Sequence, residues 1–124
     1  MSMIQKILII DDSPVARKIL KICIPKDQGY EIHEANDGSI GVKMFKEINP
    51  DVTFMDITMP VMDGIQALEA IKKIDNNAMV IMCTADVQMQ SVNKAISSGA
   101  LTLVKKPPSK EAVQEALFKA REAL

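Results

Sequence analysis

The sequence predicts an α/β domain in which helices cover both faces of a parallel sheet. Four short apolar runs, at 7–10, 52–55, 79–83 and 101–104, are too short for helices and are rich in branched side chains. The runs are apolar throughout rather than alternating, as strands that are buried on both faces must be. Helical patterns separate the strands, and strand and helix alternate five times along the chain. This order indicates an open, doubly wound sheet of five parallel strands with five helices.

The remaining predicted strand, at 30–35, is more polar than the others. It contains Glu31, His33 and Glu34, a composition that is typical of a strand at the edge of a sheet. In the helical stretches, apolar side chains recur on one face. These faces are Val15, Ile19 and Ile22; Gly41, Met44, Phe45 and Ile48; Ile65, Leu68 and Ile71; Val92 and Ile96; and Val113, Leu117 and Ala120.

Helix ends and loops are marked by residues with special backbone chemistry. Ser13 followed by Pro14 is a typical helix start, since the hydroxyl caps the helix and the ring suits its first position. Gly99 is placed to end a helix. The pairs Asp37-Gly38, Asp63-Gly64 and Pro107-Pro108 indicate loops.

Length and composition predict one domain that spans residues 1–124, because 48% hydrophobic residues are enough for a two-sided core. The 15 basic and 16 acidic residues are interleaved, which argues against a surface for nucleic acid or for a membrane. No leader pattern and no run of roughly 18 apolar residues is present, so we expect a cytoplasmic protein. Cys23 and Cys83 stand far apart in apolar stretches, and we expect buried free thiols.

Polar residues stand at the ends of four predicted strands. They are Asp11 and Asp12 after the first strand, Asp56 after the third, Thr84 after the fourth, and Lys105 and Lys106 after the fifth. In doubly wound sheets the working site lies at the carboxyl ends of the strands. Three carboxylates that meet there would repel one another, and a hard divalent cation with oxygen ligands is the simplest compensation. The sequence therefore predicts a site for Mg²⁺.

A carboxylate can attack phosphorus if a metal and a cationic side chain neutralise the charge on the phosphoryl oxygens. Asp56 is then the predicted nucleophile, with Lys106 and Thr84 as partners of the phosphoryl group. Each signal alone has an ordinary explanation. An Asp pair after a strand is often a loop with a helix cap, a threonine at a strand end is common, and a lysine before proline is usually a solvated charge. Their joint placement favours phosphoryl chemistry.

Four motifs combine at these strand ends. They are Ile9-Ile10-Asp11-Asp12-Ser13; Met55-Asp56-Ile57-Thr58-Met59-Pro60 with Asp63-Gly64; Met82-Cys83-Thr84-Ala85; and Gly99-Ala100 leading to Lys106-Pro107. In this combination the chain resembles the response-regulator receiver domains of two-component signalling, most of all their stand-alone CheY-like type, which serves chemotaxis. The match covers essentially the whole chain. It implies the flavodoxin-like sheet order 2-1-3-4-5, of which CheY is itself a standard example.

The resemblance also implies a role for each residue of the site. Asp12 and Asp56 would ligate Mg²⁺ directly, and Asp11 would hold a water that is bound to the metal. The main-chain carbonyl of Thr58 would complete the ligands from the protein. Thr84 would supply a hydroxyl that moves toward the phosphoryl group.

Further roles concern the lysine and the lifetime of the phosphoryl group. Lys106, rather than Lys105, matches the family lysine because Pro107 follows it, and in the family that peptide bond is cis. Thr58 and Asp86 would flank the path of an attacking water. We therefore expect both of them to affect how long the phosphoryl group persists.

The implied partners are proteins. A sensor histidine kinase or a phosphotransfer protein would be the phosphodonor, and a downstream target would bind the surface of the fourth helix, fifth strand and fifth helix. The chain would then be a phosphorylation-controlled binding switch rather than an enzyme. Phosphohydrolases that form an aspartyl phosphate carry a second Asp two residues after the nucleophile, where this chain has Thr58. A degenerate receiver that binds constitutively is a third interpretation, which the complete set of site residues disfavours.

Two positions depart from the family pattern. Leu103 stands three residues before Lys106, where the family usually has a Tyr or Phe that rotates inward as part of the switch. Leucine has no ring to move between exposed and buried positions, so we expect a weaker coupling through this residue. Pro108 follows Pro107 where a bulky apolar residue is common, and it stiffens the entry to the last helix.

Overall fold

The computed structural model describes residues 4–85 and 88–124, and in it five parallel strands form one sheet. The strands are β1 (Lys6–Ile10), β2 (Glu31–Ala35), β3 (Val52–Asp56), β4 (Val80–Thr84) and β5 (Thr102–Lys105). A helix follows each strand: α1 (Pro14–Cys23), α2 (Gly38–Ile48), α3 (Gly64–Ile74), α4 (Met89–Ser97) and α5 (Lys110–Ala123). The strand order is β2-β1-β3-β4-β5. The predicted doubly wound α/β fold and its strand order are confirmed.

The strands extend to the polar residues that the sequence placed just beyond them. Asp56 is the last residue of β3 and Thr84 the last residue of β4, whereas the predicted runs stopped one residue earlier. Parallel pairing continues to these ends, since Asp56 is the register partner of Cys83 and Thr84 that of Lys105. The hydrogen bonds of the sheet therefore reach the candidate site residues.

Successive residues of each central strand belong to different cores, one on either face of the sheet. Ile7 and Ile9 pack in a cluster with residues of α1 and α5. Leu8 and Ile10 pack in a second cluster with residues of α2, α3 and α4. The strands are thus covered on both faces, which explains why their apolar character is continuous. The polar strand β2 lies at an edge, as predicted.

Helix α1 packs inward through a different stripe from the predicted one. Leu20 and Cys23 are buried, whereas Val15, Ile19 and Ile22 are 66%, 40% and 50% exposed. Both stripes have helical spacing, and periodicity alone does not reveal which of them faces the sheet. The orientation of α1 is set by its packing against the sheet and α5, and it leaves an apolar stripe at the surface.

Helix α4 shows the same effect on a smaller scale. Its buried residue is the small Ala95, while the predicted face residue Ile96 is 47% exposed. Gly99 follows the end of this helix with a φ of 108°, as its sequence position predicted.

The helices that follow β1 and β3 both begin with a side-chain cap. The Ser13 side chain accepts a hydrogen bond from the Ala16 N–H, and Pro14 occupies the first position of α1, as predicted. Asp63 caps α3 through the Gln66 N–H, and the Gln66 side chain accepts a hydrogen bond from Asp63 in return. These caps fix where each helix leaves the edge of the sheet.

Cys23 and Cys83 are both buried, as predicted. Burial raises the pKa of the Cys83 thiol to about 12, so this residue remains protonated at neutral pH. None of the helices that the structure describes is long and apolar enough to cross a membrane.

Thr53 is the second residue of β3 and is fully buried, and among the described residues its Oγ1 has no hydrogen-bond partner. We expect Thr53→Val to raise the free energy of unfolding by about 1 kcal/mol, because a buried hydroxyl without a partner has lost its bonds to water. Urea unfolding measures this difference. Thr102→Val, at a half-buried strand position, is the matched control and should change stability by less than about 0.5 kcal/mol. A less stable Thr53→Val protein would contradict this account.

Candidate functional site

Three carboxylates meet at the carboxyl edge of the sheet. Asp11 and Asp12 directly follow β1, and Asp56 ends the neighbouring strand β3. One oxygen atom of each lies within 4.8 Å of the other two. Asp11 and Asp56 are buried, while Asp12 is exposed. The structure therefore brings the predicted carboxylate ligands together, with Asp12 on the solvent side.

Lys106 supplies the positive charge at this cluster. Its Nζ donates a hydrogen bond to Asp11 Oδ2 at 2.7 Å and lies 3.2 Å from Asp56 Oδ1. Its main-chain N–H donates to the Thr84 carbonyl oxygen at 2.9 Å, and the peptide bond to the next residue is cis, as the resemblance implied. Lys105 is exposed, so Lys106 is the lysine that the fold directs to the site.

The charges of the cluster do not balance, because three carboxylates face one ammonium group. Burial raises the pKa of Asp56, the Asp11 carboxylate raises it further, and Lys106 only partly opposes both effects. Burial acts to lower the pKa of Lys106, but the hydrogen bond and charge of Asp11 and the charge of Asp56 outweigh it and raise that pKa. A hard divalent cation with oxygen ligands fits this shortage of positive charge.

Asp11 is held by hydrogen bonds at the turn that leads into α1. Its Oδ1 accepts a hydrogen bond from the Ser13 N–H at 2.9 Å. Its own main-chain N–H donates to the Ala35 carbonyl oxygen at the end of β2, at 3.1 Å. The Asp-Asp-Ser sequence thus forms a turn in which the first carboxylate is fixed before any cation binds.

The start of α3 packs closely against the main chain at Asp56. The Gly64 N–H donates to the Ile57 carbonyl oxygen at 2.6 Å, which brings the helix start against the end of β3. A Cβ atom at position 64 would collide with the main-chain oxygen of Asp56. The Asp63-Gly64 pair, predicted as a loop signal, is therefore a requirement for the close packing of α3 against Asp56.

The other predicted residues lie around this cluster. Thr84 is buried at the end of β4, the strand beside Asp56. Thr58 is exposed and lines a depression of about 440 Å³ between the β3–α3 loop and α4. Leu103 is half-buried on β5 and packs against the core on the α2, α3 and α4 side of the sheet. Asp86 lies outside the described residues.

Sequence reasoning missed Arg17. Its guanidinium donates a hydrogen bond to the main-chain oxygen of Asp11 and another to the carboxylate of Glu34 on β2. The available signal was the spacing of Arg17 and Lys21, one turn apart on the helix that follows the Asp pair, with Glu34 on the neighbouring strand. Such basic residues are common on exposed helix faces, so this spacing alone does not distinguish Arg17 from them.

The chain is similar to known proteins over nearly its whole length. The family model described as a response regulator receiver domain matches residues 7–118. The chemotaxis protein CheY of Thermotoga maritima is 45% identical over 116 residues, which are 93% of this chain and 96% of that protein. CheY of Bacillus subtilis is 43% identical over 117 residues, which are 94% of this chain and 98% of that protein.

A similar solved structure is the CheX-CheY-BeF3-Mg²⁺ complex from Borrelia burgdorferi. The similarity covers 92% of this chain and 87% of that chain, at 36% identity and a TM-score of 0.85. The sequence comparison and the structure comparison thus both find CheY proteins.

We expect Asp56→Asn to raise the melting temperature in Mg²⁺-free buffer at neutral pH, on the order of a few degrees, because it removes one of the repelling carboxylates. The pKa of Asp56 is raised in the folded state, so the stability of the wild type falls as the pH rises through that pKa. The rise in melting temperature caused by Asp56→Asn should be largest above the folded-state pKa of Asp56. It should vanish below the pKa of an aspartate in the unfolded chain, which is about 4.

Thermal unfolding over a pH series with a chelator measures this gain. Asp12→Asn is the matched control, and its gain should be smaller because Asp12 is exposed. A gain for Asp56→Asn that is equal at all pH values would show that charge repulsion is not its cause.

Proposed function

Because this chain belongs to the response regulator receiver family of two-component signalling, we propose that it receives a phosphoryl group on Asp56. The observation that carries the proposal is the position of Lys106, whose Nζ lies 2.7 Å from Asp11 Oδ2 and 3.2 Å from Asp56 Oδ1. Phosphoryl transfer depends on positive charge near the transferred oxygens, and a lysine that is held beside the nucleophile supplies it.

In the proposed reaction, a carboxylate oxygen of Asp56 attacks the phosphorus atom of the donor. The bond from phosphorus to the donor nitrogen or oxygen breaks, and the departing group takes up a proton. Lys106 pairs with one phosphoryl oxygen, and the Thr84 hydroxyl donates to another. The donor is a sensor histidine kinase or a phosphotransfer protein, and a small phosphodonor can replace it in the test tube.

We assign Mg²⁺ as the cofactor of this reaction. Asp12 and Asp56 would ligate it directly, Asp11 would hold a water bound to the ion, and the main-chain carbonyl of Thr58 would complete the protein ligands. When bound, the ion neutralises charge on the phosphoryl oxygens. The support is the excess of negative charge at the cluster, together with a relative from Borrelia burgdorferi whose complex contains BeF3 and Mg²⁺.

The signal is proposed to leave through the surface of α4, β5 and α5, with residues 1–124 acting as a single receiver domain. Met89 and Ile96 on α4 are 71% and 47% exposed, and apolar side chains of this kind favour contact with a protein partner. The names of the curated relatives make chemotaxis the proposed pathway. Thr58 and Asp86 are proposed to affect how long the phosphoryl group persists.

We expect Asp56→Asn to abolish phosphorylation by acetyl phosphate in the presence of Mg²⁺, because an amide cannot act as the nucleophile. Intact-mass spectrometry detects the added phosphoryl group. Asp63→Asn is the matched control, since Asp63 is a nearby helix cap and Asn caps helices equally well. That variant should be phosphorylated like the wild type. A phosphoryl group that persists on Asp56→Asn would show that another residue is the acceptor.

We expect Leu103→Ala to lower the free energy of unfolding by about 1–2 kcal/mol and to leave most of the response to phosphorylation intact. Leucine fills core space here but has no ring whose rotation could signal, so residues 85–89 must carry more of the change. The response is the change in hydrogen exchange of α4 when beryllofluoride and Mg²⁺ are added. Leu103→Tyr should enlarge it.

Leu101→Ala is the matched control, because Leu101 is half-buried near the start of β5 and packs against the core on the other face of the sheet. It should lower stability without changing the exchange response. If Leu103→Ala folds but loses the response entirely, then Leu103 is itself the switch.

A further inference from the structure

Arg17 connects the loop after β1 to the edge strand β2. It lies on α1, and its side chain is only 15% exposed. One nitrogen, Nη1, donates a hydrogen bond to the main-chain oxygen of Asp11, and Nε donates to Glu34 Oε1 at 2.8 Å. A guanidinium that divides its donors between a carbonyl and a carboxylate holds both in a fixed relation, which a single ammonium group does not do.

The carbonyl that Arg17 holds belongs to the peptide group between Asp11 and Asp12. The other polar groups of Asp11 are held by Ala35, Ser13 and Lys106. Asp12 is exposed, so packing does not fix its side chain, and the direction of its carboxylate depends on the main chain. Among the described residues, Arg17 therefore supplies the side-chain hydrogen bond to the carbonyl of the peptide that leads into Asp12.

Glu34 in turn holds Arg17 in place. Its second oxygen, Oε2, accepts a hydrogen bond from Lys21 Nζ at 2.7 Å. The hydrogen bond from Lys21 lowers the pKa of Glu34, burial opposes this, and the hydrogen bond from Arg17 lowers it further. Glu34 thus remains ionised at neutral pH and bridges two successive turns of α1 to β2.

We propose that Arg17 is a positioning residue for the metal site: it holds the Asp11–Asp12 peptide so that the Asp12 carboxylate faces the cation, and Glu34 keeps Arg17 in that position. The inference rests on the proposed Mg²⁺ site. The positive charge of Arg17 repels a cation and so lowers the affinity for Mg²⁺. The orientation of the peptide by Arg17 raises that affinity. Substitution at position 17 can therefore separate the two effects.

The test measures the dissociation constant of Mg²⁺ by titration calorimetry, with Mg²⁺ as the only ligand. Arg17→Met should weaken binding by about tenfold, the usual consequence of losing a group that orients a metal ligand. Arg17→Lys should also weaken it, because one ammonium group cannot hold both the carbonyl and Glu34. Tighter binding by Arg17→Met together with unchanged binding by Arg17→Lys would mean that only charge matters, and would overturn the inference.

Lys21→Met is the matched control. It removes the other cation that contacts Glu34 and leaves the Asp11 carbonyl untouched, so the Mg²⁺ dissociation constant should stay within about twofold of the wild type. Glu34→Ala, at an accessible position, releases Arg17 without changing it and should weaken Mg²⁺ binding by several-fold. This second variant keeps the test decisive if Arg17→Met does not fold.

The melting temperature with chelator and with Mg²⁺ separates positioning from a purely structural role. A bound ion stabilises the folded state more strongly the more tightly it binds, so the rise in melting temperature on adding Mg²⁺ should be smaller for Arg17→Met than for the wild type. If Mg²⁺ raised the melting temperature equally in both proteins, Arg17 would have only a structural role. If the wild type binds no Mg²⁺, the proposed metal site fails and the inference fails with it. If the wild type binds, Asp12→Asn does not and Arg17→Met binds normally, only the inference fails.

Discussion

Asp11 and Asp56 share one ammonium group, that of Lys106, at the carboxyl ends of neighbouring strands. A buried carboxylate is costly unless it is paired and hydrogen-bonded, so neither acid could occupy this position alone. The parallel sheet makes the pairing possible because every strand ends at the same edge. The close start of α3, the capped start of α1 and the link from Lys106 to β4 all serve to hold these three side chains together.

The carboxylates of the cluster are only partly neutralised by Lys106, and a site whose charges do not balance is suited to a switch. One lysine does not neutralise three carboxylates, so a bound cation, and then the proposed phosphoryl group of charge about −1.5 to −2, can change the charge balance of the cluster. Lys106 is tied to the main chain of β4, and Asp11 to that of β2. A redistribution of charge at the site therefore acts on the ends of several strands at once, which is how a local event can reach a distant surface.

Much of the fold could be predicted from the chain alone. The continuous apolar runs identified the strands, and the polar run with Glu31 and Glu34 identified an edge strand. The apolar periodicity did not identify the buried face of a helix where two stripes of the helix had the same spacing. In α1 the apolar stripe of Val15 is exposed and that of Leu20 is buried, because only packing against the sheet and α5 distinguishes them.

The fold class and the identity of the clustered carboxylates could be predicted from the chain alone, because apolar period and strand-end position are local properties of the sequence. How Asp11 is held, by the Ser13 N–H, the Ala35 carbonyl and Lys106, became visible only in the folded chain. The tertiary structure also revealed Arg17, whose contacts to the Asp11 carbonyl and to Glu34 join groups that are 6 and 17 residues away along the chain. Such contacts depend on the directions of side chains after the helix has packed, and no periodicity in the sequence encodes those directions.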